Sequence, residues 1–160
     1  MSNVFFIGDL HLGHKNVLKF EATHGFSSLE EREGYIIGQW CSCVRKNDLV
    51  FVLGDVAFET EKLEVMLSLP GRKILIRGNH DVFSAMRYLT FFEDIHGIMP
   101  YRAKSIKAWL SHAPIHPNEL RGRVNIHGHV HYETIQDPRY VNVSACAVDY
   151  KPQSLQEVCR

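Results

Sequence analysis

Seven of the chain's ten histidines fall in short runs together with Asp, Asn and Gly. The runs are Gly8-Asp9-Leu10-His11-Leu12-Gly13-His14, Gly54-Asp55, Arg77-Gly78-Asn79-His80-Asp81, Ser111-His112-Ala113-Pro114 and His127-Gly128-His129-Val130-His131. Imidazole nitrogen and carboxylate oxygen together suit divalent transition metals, and neutral imidazole is the commonest metal ligand. Asp9 and His11 stand two residues apart, so in extended backbone their side chains share a face. His129 and His131 have the same spacing, and each pair could grip one ion. Asp55, from a separate segment, is placed to bridge two ions. The neighbouring glycines let the backbone turn or approach closely without a Cβ. Taken singly these signals are weak, since a Gly-Asp after a strand is ordinarily a turn. All five in order, each following a β-rich run, point to a metal centre.

The elements that must position these runs are short. Val4–Ile7 and residues 49–53, 73–76, 108–110, 124–126 and 140–143 are apolar, β-branched or aromatic, which reads as buried strands. The first five each deliver one of the polar runs. Ligands of open α/β sheets gather at the carboxyl ends of strands, on loops held by a rigid scaffold. Residues 29–45 read as a helix with a capping box of Ser28 and Glu31. Ile36, Ile37, Trp40, Cys41 and Val44 form its core-facing stripe. A second helix is expected over 61–67, ending before Pro70-Gly71, and a third around 84–92. Asp137-Pro138 reads as a turn, and the tail 152–160 carries little signal. Strands alternating with helices predict an α/β layered fold, in one domain spanning 1–160.

Composition narrows the function classes. Hydrophobic residues make up 45% and charged residues 22% of the chain, close to globular averages. Lys plus Arg and Asp plus Glu are both 18, so the basic footprint of a strong duplex nucleic-acid binder is missing. A small phosphorylated substrate needs only a local positive field, which bound ions supply. No segment approaches a membrane span, and the N-terminus lacks the basic region and apolar core of a signal peptide. Cys41, Cys43, Cys146 and Cys159 fit no common zinc spacing and are expected to be reduced thiols of a cytoplasmic protein. His14 is a candidate for substrate contact or support of the site, and His127 for support of the neighbouring ligands. Arg121 lies with His116, Asn118 and Arg123 between two ligand runs. Arg suits phosphate recognition, although a solvated polar loop is the plainer reading there. His24 and His96 have no supporting motif and read as ordinary surface or core histidines.

The ordered set Gly8-Asp9-Leu10-His11, Gly54-Asp55, Gly78-Asn79-His80-Asp81, Ser111-His112 and Gly128-His129-Val130-His131 resembles the calcineurin-like metallophosphoesterases, in particular their compact bacterial and phage members. It spans residues 8–131, most of the chain. The resemblance implies two packed β-sheets flanked by helices. It implies that Asp9, His11 and His131 hold one divalent ion, that Asn79, His112 and His129 hold a second, and that Asp55 bridges them. It places His80 by the leaving group, as general acid or charge stabiliser, with Asp81 orienting it. The reaction so implied is hydrolysis of phosphate esters by a hydroxide shared between ions about 3.5–4 Å apart. Phosphodiesters come ahead of monoesters, and small nucleotides are included among the substrates. Mn is the first expectation for the metal, with Fe, Ni, Co and Zn as alternatives. A homo-oligomer is compatible with this reading. A non-catalytic module on the same fold would lack ligands or His80, and neither is missing. A DNA-repair nuclease would add basic segments, and a protein phosphatase further arginine motifs.

Overall fold

The computed structural model describes residues 2–159. Its elements in chain order are β1 (Val4–Ile7), α1 (Val17–Phe20), α2 (Leu29–Cys43), β2 (Leu49–Val52), α3 (Val65–Ser68), β3 (Arg72–Ile76), α4 (Ala85–Tyr88), β4 (Asp94–His96), β5 (Ile98–Ala103), β6 (Ile106–Ser111), β7 (Val124–His127), β8 (Tyr140–Asn142), β9 (Gln153–Ser154) and α5 (Leu155–Val158). One sheet has the order β4-β3-β2-β1-β9 and the other β5-β6-β7-β8. The architecture is therefore α/β, two sheets flanked by helices. In the first sheet β1 to β4 run parallel and β9 pairs antiparallel to β1. In the second, β6, β7 and β8 are parallel and β5 pairs antiparallel to β6.

The central strands are apolar on both faces because both faces are covered. Phe5, Ile7, Val50, Val52 and Leu75 pack in one core with Ile36, Trp40 and Met66 of the helices. Their alternates Phe6, Phe51, Leu53 and Ile76 meet Ala108, Leu110 and Ile126 of the second sheet in another. Phe6 stacks on Phe51 at 5.5 Å, and Tyr101 meets both edge-on.

Several elements differ from the sequence-based expectation. Strands β4, β5 and β9 were not marked by the sequence. The first two are edge strands, and β5 carries Pro100, which an edge tolerates because no donor is needed there. The tail forms β9 and then α5, where Ser154 and Glu157 make a full capping box. Helix α2 begins as expected, with the Ser28 side chain accepting from the Glu31 amide. The Glu31 carboxylate reaches one residue further back, to Ser27. Cys41 is exposed, a turn of about 100° away from the buried Trp40. Residues 61–67 divide into a 3-10 turn, Thr60–Glu64, and the short α3. All four cysteines are free. No described helix is long and apolar enough to cross a membrane.

Candidate metal centre

Parallel pairing places the carboxyl ends of β1, β2 and β3 on one edge, and that of β6 and β7 does the same in the second sheet. The sheets meet at this edge, where the Gly8 amide donates to the Val143 carbonyl and Gly8 bridges Ser144. The chain leaves these strands in strained turns. Asp9, His11, Asp55, His129 and His131 all have positive φ, between 48° and 72°. Left-handed backbone costs a non-glycine residue about 1–3 kcal/mol and persists where its surroundings over-determine it. Here the amides of Asp9 and His11 donate to the carbonyls of Gly54 and Asp55, both at 2.9 Å. Gly78 and Gly128 pack so closely that a Cβ on either would collide with the Asp55 or the Asp9 carboxylate respectively.

These turns bring all seven expected ligand side chains together. Ligand atoms of Asp9, His11 and His131 lie within 4.8 Å of one another, as do those of Asp9, Asp55 and His112. His112 Nε2 meets Asn79 Oδ1 at 2.9 Å and His129 Nδ1 at 3.0 Å. Asp55 Oδ2 stands 3.7 Å from His11 Nε2 and 3.4 Å from His112 Nε2. Asp9 Oδ1 and both ring nitrogens of His11 are buried without a hydrogen-bond partner. Buried polar groups left this way are costly, and a divalent ion bound by nitrogen and oxygen would satisfy Asp9 Oδ1 and His11 Nε2, the ring nitrogen that faces Asp9 and Asp55.

The charges agree with that donor set. Burial pushes the Asp55 carboxyl up, but the hydrogen bond with His112 and other contacts outweigh it and hold the carboxyl below its ordinary value. Burial opposes a charge on His112, yet the hydrogen bond with Asp55 and the charges of Asp9 and Asp55 push its pKa up to about 9. His112 Nδ1 donates to the Leu53 carbonyl at 2.8 Å, which aims Nε2 into the cluster.

The calcineurin-like phosphoesterase family model matches residues 2–144. The chain belongs to this family. An uncharacterized protein of Methanocaldococcus jannaschii, MJ1445, is 30% identical over 170 residues, covering 100% of this chain and 91% of that protein. The gene 66 protein of Mycobacterium phage L5 is 31% identical over 164 residues, covering 82% of this chain and 78% of its own. Among solved structures, AQ665 of Aquifex aeolicus, a protein of unknown function, superposes with TM-score 0.81 at 26% identity over 99% of this chain and 98% of its own. Vps29 of Entamoeba histolytica shares the fold, with TM-score 0.53 at 16% identity over 89% of this chain and 74% of its own.

Within this calcineurin-like phosphoesterase, His80 is exposed at the rim of the centre. Its amide donates to Asp55 Oδ1 at 2.9 Å, and its ring lies 4.9 Å from Phe58. Asp81 is engaged differently from the expectation. Its buried carboxylate accepts from the amides of Asp55, Val56 and Gly78 and from the Tyr88 hydroxyl. No hydrogen bond among the described residues joins it to the His80 ring. Burial pushes the Asp81 carboxyl up, against the pull of those amides. Asp81 therefore shapes the loop that carries Asp55.

The remaining candidates separate. His14 lines a cavity of about 410 Å³ with His11, Val17, Phe20, His80 and His131, and burial followed by the nearby His11 lowers its pKa. His127 is buried beneath the centre, with Nδ1 donating to the Gly128 carbonyl and its ring edge-on to Tyr140. Arg121 is not brought in: it is exposed and paired with Glu119. His96 pairs with Asp94 near the surface, and His24 joins an aromatic group with Phe26, Tyr132 and Tyr150.

The sequence reading missed Glu21. Its side chain is fully buried, with Oε2 paired to Arg32 and bound by the Tyr150 hydroxyl, each at 2.6 Å. Its unpartnered Oε1 stands 3.9 Å from His131 Nδ1. A signal existed, because Arg32, Ile36 and Trp40 fall at i, i+4 spacing, which puts an arginine in the buried stripe of α2.

Proposed function

We propose that this protein hydrolyses phosphodiesters, including those of small nucleotides, at a centre of two divalent ions, Mn²⁺ first among Mn, Fe, Co, Ni and Zn. Asp9, His11 and His131 would hold one ion and Asn79, His112 and His129 the other. Asp55 would be shared, as the near-equal approach of its Oδ2 to His11 and His112 supports. Bound divalent ions supply Lewis acidity, which makes water a nucleophile at neutral pH and offsets charge on phosphoryl oxygens. The protein's own part is mainly positioning, the larger share of phosphoryl-transfer catalysis. Asp55 Oδ1 fixes the His80 backbone and leaves the ring free at the rim, where it gives a proton to the departing alcohol or hydrogen-bonds its oxygen.

The observation that carries this reading is the convergence of seven Asp, His and Asn side chains from both sheets, with buried Asp9 and His11 atoms left unsatisfied. The preference for a diester rests on the adjoining cavity, whose lining includes no Lys or Arg to meet a monoester's second charge. The test is metal analysis of purified protein, then bis-p-nitrophenyl phosphate and p-nitrophenyl phosphate assays on the same sample. Two ions per chain and faster diester turnover are expected. No hydrolysis of either ester with any of the five metals would leave a binding scaffold on the family's fold.

A further inference from the structure

Phe20 is 69% exposed, although a buried Phe side chain contributes about 1.5–3 kcal/mol. It is held in place from behind. Val17, one turn earlier in α1, is buried, and the next residue, Glu21, is locked by Arg32 and Tyr150. The ring is thus presented to solvent by a rigid base at the edge of the cavity that opens onto the centre. From it an aromatic wall runs inward. The His14 ring centroid is 6.2 Å from Phe20 and 4.2 Å from Phe58, and Phe58 lies 4.9 Å from His80. The cavity, about 410 Å³, falls within the usual 300–1,000 Å³ of small-molecule sites. Its lining carries no carboxylate, ammonium or guanidinium group.

We propose that this cavity seats a flat, uncharged, heteroaromatic group of the substrate, a nucleobase, with Phe20 as its stacking face and His14 as its hydrogen-bond donor. The inference rests on the phosphodiesterase reading of the adjoining centre. The tautomer of His14 favours a base over a plain phenyl ring. His14 Nδ1 accepts from the Asn16 amide at 3.2 Å, so the proton of the neutral ring sits on Nε2. That donor has no partner among the described residues and can meet a ring nitrogen or carbonyl of the base.

The test uses the full chain with Mn²⁺ and titrates adenosine, and separately ribose, by ligand-observed NMR. Adenosine is expected to saturate the protein and ribose not to. Phe20→Ala and Phe20→Leu should weaken adenosine about tenfold, since stacking contributes about 1–3 kcal/mol per base. Phe20→Trp should retain it. Adenosine binding that is absent in the wild type, equal in Phe20→Ala, or matched by ribose would overturn the seat. Hydrolysis of bis-p-nitrophenyl phosphate on the same preparation reports the centre independently. Its failure sinks the phosphodiesterase reading, whereas the adenosine titration requires no turnover.

Discussion

His80 and His112 both touch Asp55, and their surroundings give them opposite tasks. His112 is buried, with one ring nitrogen on the Leu53 carbonyl and the other among ligand atoms. His80 touches Asp55 only through its backbone amide, so its ring can be removed without disturbing the cluster. His80→Ala should therefore keep its metal content while losing about 10²–10⁴ in diester turnover, the range of a general acid. Full turnover in a fully metallated variant would remove His80 from the reaction. Asp81 calls for a different variant. The family resemblance implied that it orients His80, but a shared motif does not say which way a side chain turns. Its carboxylate faces back onto the Asp55 and Val56 amides of the neighbouring loop and the Gly78 amide of its own. Leaving buried donors unsatisfied costs about 1–3 kcal/mol each. Asp81→Ala should lower the melting temperature even in chelated protein. A role confined to orienting His80 would lower turnover at an unchanged melting temperature. The candidate ligand positions stood out because five polar runs follow apolar strands in order, although each run alone reads as a turn. Glu21 did not, because its partners Arg32 and Tyr150 are 11 and 129 residues away.

At the scale of elements, the readable strands were β8 and the five that lead into the candidate ligands. β1, β2, β3, β6 and β7 are apolar runs because neighbours cover them, and their ends deliver the polar motifs. β4 and β9 have three and two residues, and β5 alternates exposure along an edge, so no sustained apolar pattern marks them. Helix boundaries failed for a related reason. The stretch 61–67 pairs Leu63 and Met66 at i, i+3, which suits a 3-10 turn and an α-turn equally. The loop after β7 shows how an element controls the chemistry. Gly128 is squeezed between the Asp9 carboxylate and the Leu53 carbonyl, and the next amide, of His129, donates to Asp9 Oδ2 at 2.8 Å. Gly128→Ala would drive a methyl group into the Asp9 carboxylate. The chain should fold with the same circular dichroism spectrum but retain fewer ions per molecule after desalting. Wild-type metal content in that variant would show that the loop can retreat.

Across the whole molecule, the centre joins the two sheets. Asp9, Asp55 and Asn79 follow strands of the first, and His112, His129 and His131 follow strands of the second. Which strands share a sheet could not be read from short apolar runs; the motif resemblance implied two packed sheets and assigned no strand to either. Ions held by the proposed ligands would staple the two sheets together, so chelation should destabilise the fold as a unit. An ion at a hundred times its dissociation constant contributes about 2.7 kcal/mol, or about 5–10 °C in a chain of this size. The effect should also depend on pH, through His112. Its pKa rises from 6.5 in the unfolded chain to about 9 in the fold. Its ion pair with Asp55 therefore contributes fully below pH 6.5 and is lost as pH climbs through about 9. The Asp55 carboxyl, held below 3.8, sets the other limit, since its contribution fades only as the solution becomes more acidic than that. An ion competes with the His112 proton, so the metal-bound protein has no such loss on the alkaline side. The melting-temperature gap between Mn²⁺-loaded and chelated protein should then widen steadily between pH 6.5 and 9, while background titrations common to both samples cancel. A gap that stays constant over this range would mean that His112 is not a ligand whose proton the metal displaces.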